Sequence, residues 1–259
     1  MSDHPTDRGC MSATAISVQV YSVRAAFAAD PAATLQRLAE IGYSNVEPYG
    51  FVEHVDALEP ALRDAGLAAP SGHNRLLGRD REEIFDAAQR LGMSTVVEPM
   101  VPAEEWQTLD GIRRTAEALN EIAAAARTRG LRVGYHNHAW ELASVIDGVT
   151  ALEHLVTELE PDVVLEVDTF WAAVGGQDPA ALLQRLGDRA RLIHIKDGPV
   201  TGEVKKDQVP LGEGEIAVDA VLDAAGAAEL GVVEFDEYAG DEFDGVARSL
   251  AYLRRKQAR

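Results

Sequence analysis

Eight β-rich runs recur along this 259-residue chain, with successive starts 24 to 40 residues apart. They begin at Ile16 (ISVQVY), Tyr43 (YSNVE), Leu67 (LAAPSG), Ser94 (STVVEP), Leu131 (LRVGYH), Asp162 (DVVLEVD), Arg191 (RLIHIK) and Gly231 (GVVEFD). That interval is the length of one strand plus one returning helix. Strands joined by such crossovers must lie parallel, with helices covering the sheet.

Helical patterns fill the gaps. In DPAATLQRLAEIG, Leu35, Leu38 and Ile41 share a face between an Asp30-Pro31 start and a Gly42 stop, and DPAALLQRLGDR repeats the Asp-Pro start at Asp178-Pro179. EEWQTLDGIRRTAEALNEIAAAARTRG reads as one long helix ending at Gly130. Eight such units in about 250 residues fit a closed (β/α)8 barrel, a TIM barrel, better than an open doubly wound sheet. The open sheet usually carries GxGxxG after its first strand, where this chain has SVRAAF. No linker divides the pattern, which predicts a flexible leader over 1–14 and a single α/β barrel domain over 15–259.

Composition narrows the function. A formal net charge of −19 opposes partners rich in phosphate, whether nucleic acid or an anionic membrane. One cysteine, Cys10, excludes an internal disulfide framework and any multi-cysteine cluster. No apolar run approaches the roughly 18 residues of a membrane span, and MSDHPTDRGCMSATA lacks the apolar centre of a secretory signal. The expectation is a soluble cytoplasmic protein.

Barrel strands point alternate side chains inward, and barrel enzymes build their sites at the C-terminal strand ends. Period-two spacing pairs Glu166 with Asp168, His194 with Lys196, Glu234 with Asp236, and His136 with His138, opposite apolar neighbours such as Leu165, Val167, Ile193 and Ile195. If the apolar members face the helices, all four polar pairs converge on the barrel mouth. Several carboxylates in one cavity need a compensating cation or hydrogen-bond network. Asp168, His194 and Glu234 form a mixed oxygen and nitrogen set suited to Mn²⁺, Mg²⁺, Co²⁺ or Zn²⁺, while structural ion pairs involving Lys196 are the plainer alternative. Gln19, Glu47, His73 and Glu98, at the ends of the early strands, are candidates for substrate hydroxyls or for loop amides. Trp140 and Trp171 follow strands five and six, as packing residues or a sugar platform. The lone GEG of PLGEGEI does not by itself specify a phosphate loop.

GYHNHAWEL, LEVDTFW, LIHIKD, PLGEG and VVEFDE, in this order, resemble the xylose-isomerase-like barrel superfamily of sugar isomerases and epimerases. The resemblance covers most of the chain from about Ile16. Tagatose- and psicose-epimerase relatives hold one divalent ion with Glu, Asp, His and Glu from strands five to eight. The resemblance therefore implies Asp168, His194 and Glu234 as ligands of one such cation, Mn²⁺ foremost. The strand-five Glu is replaced by YHNH, so the resemblance implies that His136, His138 or Glu141 completes the shell, Glu141 foremost. Where those epimerases have Asp-Thr-Phe-His, this chain has Asp168-Thr169-Phe170-Trp171, so their two-glutamate relay does not transfer whole. YHNH with HIKD is more similar to the branch of inosose dehydratases and 3-keto-sugar lyases or hydratases.

The resemblance implies proton abstraction next to a carbonyl of a small sugar or polyol-derived substrate. Glu234 or Glu141 would be the base, and His136, His138 and Lys196 the acid or oxyanion partners. Glu47, His73, Trp171 and Gln19 would bind substrate. Isomerase or epimerase is the first expectation, dehydratase or lyase the second, and a non-catalytic sugar-binding barrel the third. Endonuclease IV shares the barrel, but the charge opposes DNA binding. A homo-oligomer is compatible with the sequence.

Overall fold

The eight expected strands form one parallel sheet in the computed structural model, which describes residues 14–258. They are β1 (Ala15–Gln19), β2 (Asn45–Glu47), β3 (Ser71–His73), β4 (Thr95–Glu98), β5 (Arg132–His136), β6 (Val164–Asp168), β7 (Ala190–Ile195) and β8 (Leu230–Val233). Each pairs with its chain neighbours except across β2 and β3, and β1 pairs with β8, from Ala15 opposite Leu230 to Val18 opposite Val233. The seam between β2 and β3 has no continuous ladder. Isolated bridges close it, Asn45 to Ala68 and Tyr49 to His73. The result is a nearly closed TIM barrel.

Most strands start within two residues of the expected positions; β3 starts four later. Pro70 has no N–H to give to a ladder, and only its carbonyl is used, accepting from the amides of Ser94 and Thr95. The long helix expected before Gly130 is also divided. A 3₁₀ turn, Ala103–Gln107, is followed by Leu109–Thr128, whose first turn is capped by Thr108 Oγ1 accepting from the Gly111 amide at 3.1 Å. The Asp-Pro starts hold: Asp30 and Asp178 each accept a first-turn amide, Ala33 N and Ala181 N, at 2.9 Å. Of the expected leader, 1–14, residues 1–13, Cys10 among them, lie outside the described residues; Thr14 is buried, its hydroxyl donating to the Ala228 carbonyl at 3.0 Å.

Leu165, Val167, Ile193, Ile195 and Val233 are buried in the main apolar core. The opposite phase fills the barrel in layers. A separate apolar cluster of Val164, Leu192, Leu230 and Val232 forms its floor. Two residues further along these strands stand Glu166, His194 and Glu234, and two further again Asp168 and Lys196. Polar groups are thus stacked on a dry base and open only toward the C-terminal strand ends. Among the described residues, no helix is long and apolar enough to cross a membrane.

Candidate active site

The strand ends deliver their side chains to two adjoining layers. The deeper is organised by Glu166, whose Oε2 lies 2.5 Å from His73 Nε2, 3.0 Å from His136 Nδ1 and 3.1 Å from His194 Nε2. Glu47 lies alongside, its Oε1 2.8 Å from His194 Nε2 and 3.2 Å from His73 Nε2. Glu47 also accepts from Gln19 Nε2 at 3.0 Å and from the Ser71 hydroxyl. Glu47, Glu166 and His194 are fully buried.

Two carboxyls this close in a dry interior cannot both ionise freely. Burial and the neighbouring Glu166 charge push Glu47 up. Burial would raise Glu166 as well, but His194 and His73 hold it well below the usual carboxylate range. The charge therefore sits on Glu166 and the proton favours Glu47. Burial opposes a charged His73, yet Glu166 and Glu47 raise it. Burial, with like charge from His194 and His73, drives His136 well down and keeps it neutral.

Lys196 organises the rim layer. Its Nζ lies 2.9 Å from Asp168 Oδ2, 2.5 Å from Glu234 Oε2 and 2.9 Å from Asp236 Oδ2. His194 Nδ1 meets Glu234 Oε2 at 2.9 Å. Burial favours the neutral amine, but Asp168, Asp236 and Glu234 override it and hold Lys196 protonated. Lys196 and His194 likewise hold Glu234 well below its ordinary value against burial, whereas burial wins at Asp168, which is raised.

The donor chemistry suits a divalent cation. Asp168, His194 and Glu234 each offer an atom within 4.8 Å of the others. Asp168 Oδ2 is buried and has no well-aligned hydrogen bond among the described residues, although the Lys196 ammonium is in contact with it. Three acidic groups, Asp168, Glu234 and Asp236, stand there around the Lys196 ammonium, with the His194 ring against Glu234. His73, His136, Glu166 and His194 form a second group of the same compactness, but its atoms already bond to one another.

Both layers border a cavity of about 360 Å³. Gln19, His73, His136, His138, Lys196 and Glu234 line it, with Asp236, Tyr21, Tyr49, Arg75 and Lys205 nearer the mouth. His138 stacks on Trp140, ring centroids 4.5 Å apart, and burial together with the Lys196 charge pushes it down to about 4. Trp171 stands beside Lys196, its ring centre 5.8 Å from Nζ.

Three expected residues are placed differently. Glu141 belongs to neither compact donor group: Oε1 accepts from the Tyr135 hydroxyl at 2.5 Å and Oε2 from the His138 amide at 2.9 Å. After β5, Asn137 bonds both the amide and the carbonyl of Asp168, and Glu141 does not line the cavity. Glu47 lies beneath the cavity floor with its oxygens engaged, so it shapes the site without lining it. Glu98 accepts from the amides of Leu76 and Leu77 at 2.7 and 2.9 Å and fixes a loop.

Glu166 and Asp197 carry more than the sequence reading gave them. The two-residue spacing from Asp168 marked Glu166 as inward-facing. Asp197 Oδ1 accepts from Gly198 N and Ile216 N, and its Oδ2 from Gly212 N and Gly214 N, at 2.8–3.0 Å. Three amides of PLGEGEI, those of Gly212, Gly214 and Ile216, are thus spent on Asp197 rather than offered to a phosphate.

Comparison with known proteins places this geometry in context. An inosose dehydratase from Clostridium perfringens is 26% identical over 167 residues, 63% of this chain and 50% of that protein. The matches to such curated relatives span half of their length or less. A sugar phosphate isomerase/epimerase structure from Parabacteroides distasonis superposes with a TM-score of 0.78 at 23% identity, covering 98% of this chain and 96% of that one. The IolI protein, solved with a bound zinc atom, gives 0.67 at 16% identity, covering 95% and 96%. The profile of the xylose isomerase-like TIM barrel family matches residues 35–256, and the chain belongs to that family.

Proposed function

We propose that this protein is a metal-dependent dehydratase that removes water from a small polyol-derived ketone, such as a keto-inositol or a 3-keto-sugar. The observation that carries this reading is the one-sidedness of the cavity. Glu234 and Asp236 stand together around Lys196, whereas the end of β5 and the residues after it contribute His136 and His138, and Glu141 is tied to Tyr135. A relay between two opposed glutamates lacks one member. A single carboxylate serving two successive proton transfers on one face suffices for elimination.

The steps follow from the charges. The named contacts of Glu234 with His194 and Lys196 run through Oε2, and its side chain lines the cavity, so Oε1 is the basic atom. It removes the proton next to the carbonyl, and the electron pair moves into an enolate. The Lys196 ammonium stabilises the developing oxyanion. Glu234, now protonated, returns that proton to the hydroxyl on the adjacent carbon as the C–O bond breaks. Water leaves, and a conjugated enone remains. His138 binds a ring hydroxyl, and Gln19 and His73 shape the far wall. Asp168, His194 and Glu234 would hold a divalent ion of the Mn²⁺, Co²⁺ or Zn²⁺ type. Such an ion supplies Lewis acidity at the carbonyl oxygen.

The inosose dehydratase similarity supports the reaction class, and the cavity volume, at the lower end of the roughly 300–1,000 Å³ of small-molecule sites, supports a single-ring substrate. The test is NMR of ketoses, keto-inositols and 3-keto-sugars in D₂O with Mn²⁺. An enone or diketone product is expected. Deuterium uptake without loss of water identifies an isomerase or epimerase instead, and binding without either identifies a sugar-binding barrel.

A further inference from the structure

We propose that His136 supplies the fourth side-chain ligand of the rim cation site, through Nε2, and that Glu166 is the positioning residue that aims both ligand imidazoles at the rim. The inference deepens the proposed function only by using its rim site; it does not depend on the reaction.

The two imidazoles are held in the same way. His194 directs Nε2 at Glu47 and Glu166, 2.8 and 3.1 Å away, which leaves Nδ1 at the rim beside Glu234 Oε2. His136 directs Nδ1 at Glu166, 3.0 Å away, which leaves Nε2 3.7 Å from Asp168 Oδ2. A histidine whose one ring N–H is fixed by a buried carboxylate presents a lone pair at the other nitrogen, the arrangement that orients metal-binding imidazoles. Glu166 does this for both rings with one oxygen. Its other oxygen, Oε1, is buried and without a hydrogen-bond partner among the described residues, while Oε2 also meets His73 Nε2 at 2.5 Å. Glu141 is not available for the same task, because Tyr135 and the His138 amide hold its two oxygens.

Charge supports the rim rather than the deeper group. With a divalent ion there, Asp168 and Glu234 are neutralised and Lys196 remains paired with Asp236. In the deeper group, an ion would have to displace the Glu166 contacts that orient the imidazoles.

The test is Co²⁺ binding to the purified chain, followed by calorimetry, visible absorption and ¹H NMR. Wild type is expected to bind one Co²⁺, with two exchangeable hyperfine-shifted ring N–H signals, one from each imidazole. His136→Ala should weaken binding at least tenfold and remove one signal, while His136→Glu should restore affinity with one signal still missing. Glu166→Gln should weaken binding about 10- to 100-fold, the usual cost of an orienting partner, and speed exchange of both signals. Glu141→Gln and His73→Gln should stay within threefold of wild type. Loss of binding in Glu141→Gln with retention in both His136 variants overturns the ligand assignment. Loss in His73→Gln equal to that in His136→Ala places the ion in the deeper group and overturns it too, as does a wild-type chain that takes up no Co²⁺. The expected binding pattern without release of water from any ketone overturns only the proposed reaction.

Discussion

Tyr135 donates its phenolic hydroxyl to Glu141 Oε1 across 2.5 Å, joining the last turn of a barrel strand to the short helix that follows it. Both side chains are fully buried. Burial pushes Glu141 up from 4.5 to about 7, against the hydrogen bonds from Tyr135 and the His138 amide that favour its charged form.

This sets a pH dependence whose sign is fixed. The native state binds the Glu141 proton more tightly than the unfolded chain does. The resulting stability is fully present below pH 4.5 and is lost as pH rises through about 7. At 1.36 kcal/mol per pH unit the whole effect is about 3 kcal/mol. Glu141→Gln stays neutral throughout, so the stability difference between wild type and variant isolates it. Urea unfolding at pH 5 and pH 8 should show wild type losing about 2 to 3 kcal/mol relative to the variant. A difference that stays flat would mean Glu141 is ionised at both pH values.

Lys196→Met should reveal how much the rim depends on its internal cation. The ammonium contacts Asp168, Glu234 and Asp236, and removing one partner of a buried ion pair costs about 3–5 kcal/mol. We expect that loss in chemical unfolding at pH 7 without added metal. Millimolar Mn²⁺ should raise the melting temperature of the variant more than that of wild type, because the freed carboxylates gain a cation. Turnover should not return with stability, since no ammonium faces the oxyanion. Recovery of both by Mn²⁺ would reduce Lys196 to a counter-ion.

The barrel was legible because each strand ends in a period-two alternation and each helix announces its start or stop, as Asp30-Pro31 and Gly42 do. The same alternation sends Asp168, His194 and Lys196 inward. What it does not encode is which inward groups meet, because that depends on the stagger between neighbouring strands. His136 stands opposite Glu166, and Asp168 opposite His194, through a ladder that shifts between Leu165 and Glu166. Beyond a strand end the period no longer applies: at Asn137 the direction of the chain is set by bonds to Asp168, 31 residues away. Contacts of long sequence separation therefore set the surroundings of Glu141 and Glu166, two carboxylates that the local pattern alone does not tell apart.

Asp197 offers the sharpest separation of loop order from chemistry. Its carboxylate accepts from four backbone amides, those of Gly198, Gly212, Gly214 and Ile216, and is fully buried. The segment it anchors follows Gln208, which donates to Asp236 Oδ2 at 2.9 Å and accepts from the Asp236 amide at 2.7 Å. Asp197→Asn replaces one acceptor oxygen with an NH₂ group that faces amide donors. Hydrogen bonds to a charged acceptor are worth about 1.5–3 kcal/mol each, so the loop should open more readily by about 3 kcal/mol. Amide exchange at Gly212, Gly214 and Ile216 should then accelerate on the order of 100-fold, with the β-strand amides unchanged. Gly214→Ala gives an independent route to the same state: a Cβ there would stand 2.4 Å from the Gly198 nitrogen and closer still to the Asp197 carboxylate. Because Gln208 steadies Asp236 beside Lys196, both variants should raise KM for the ketone more than they lower kcat. Fast loop exchange with unaltered kinetics would show that Asp236 keeps its place without the loop.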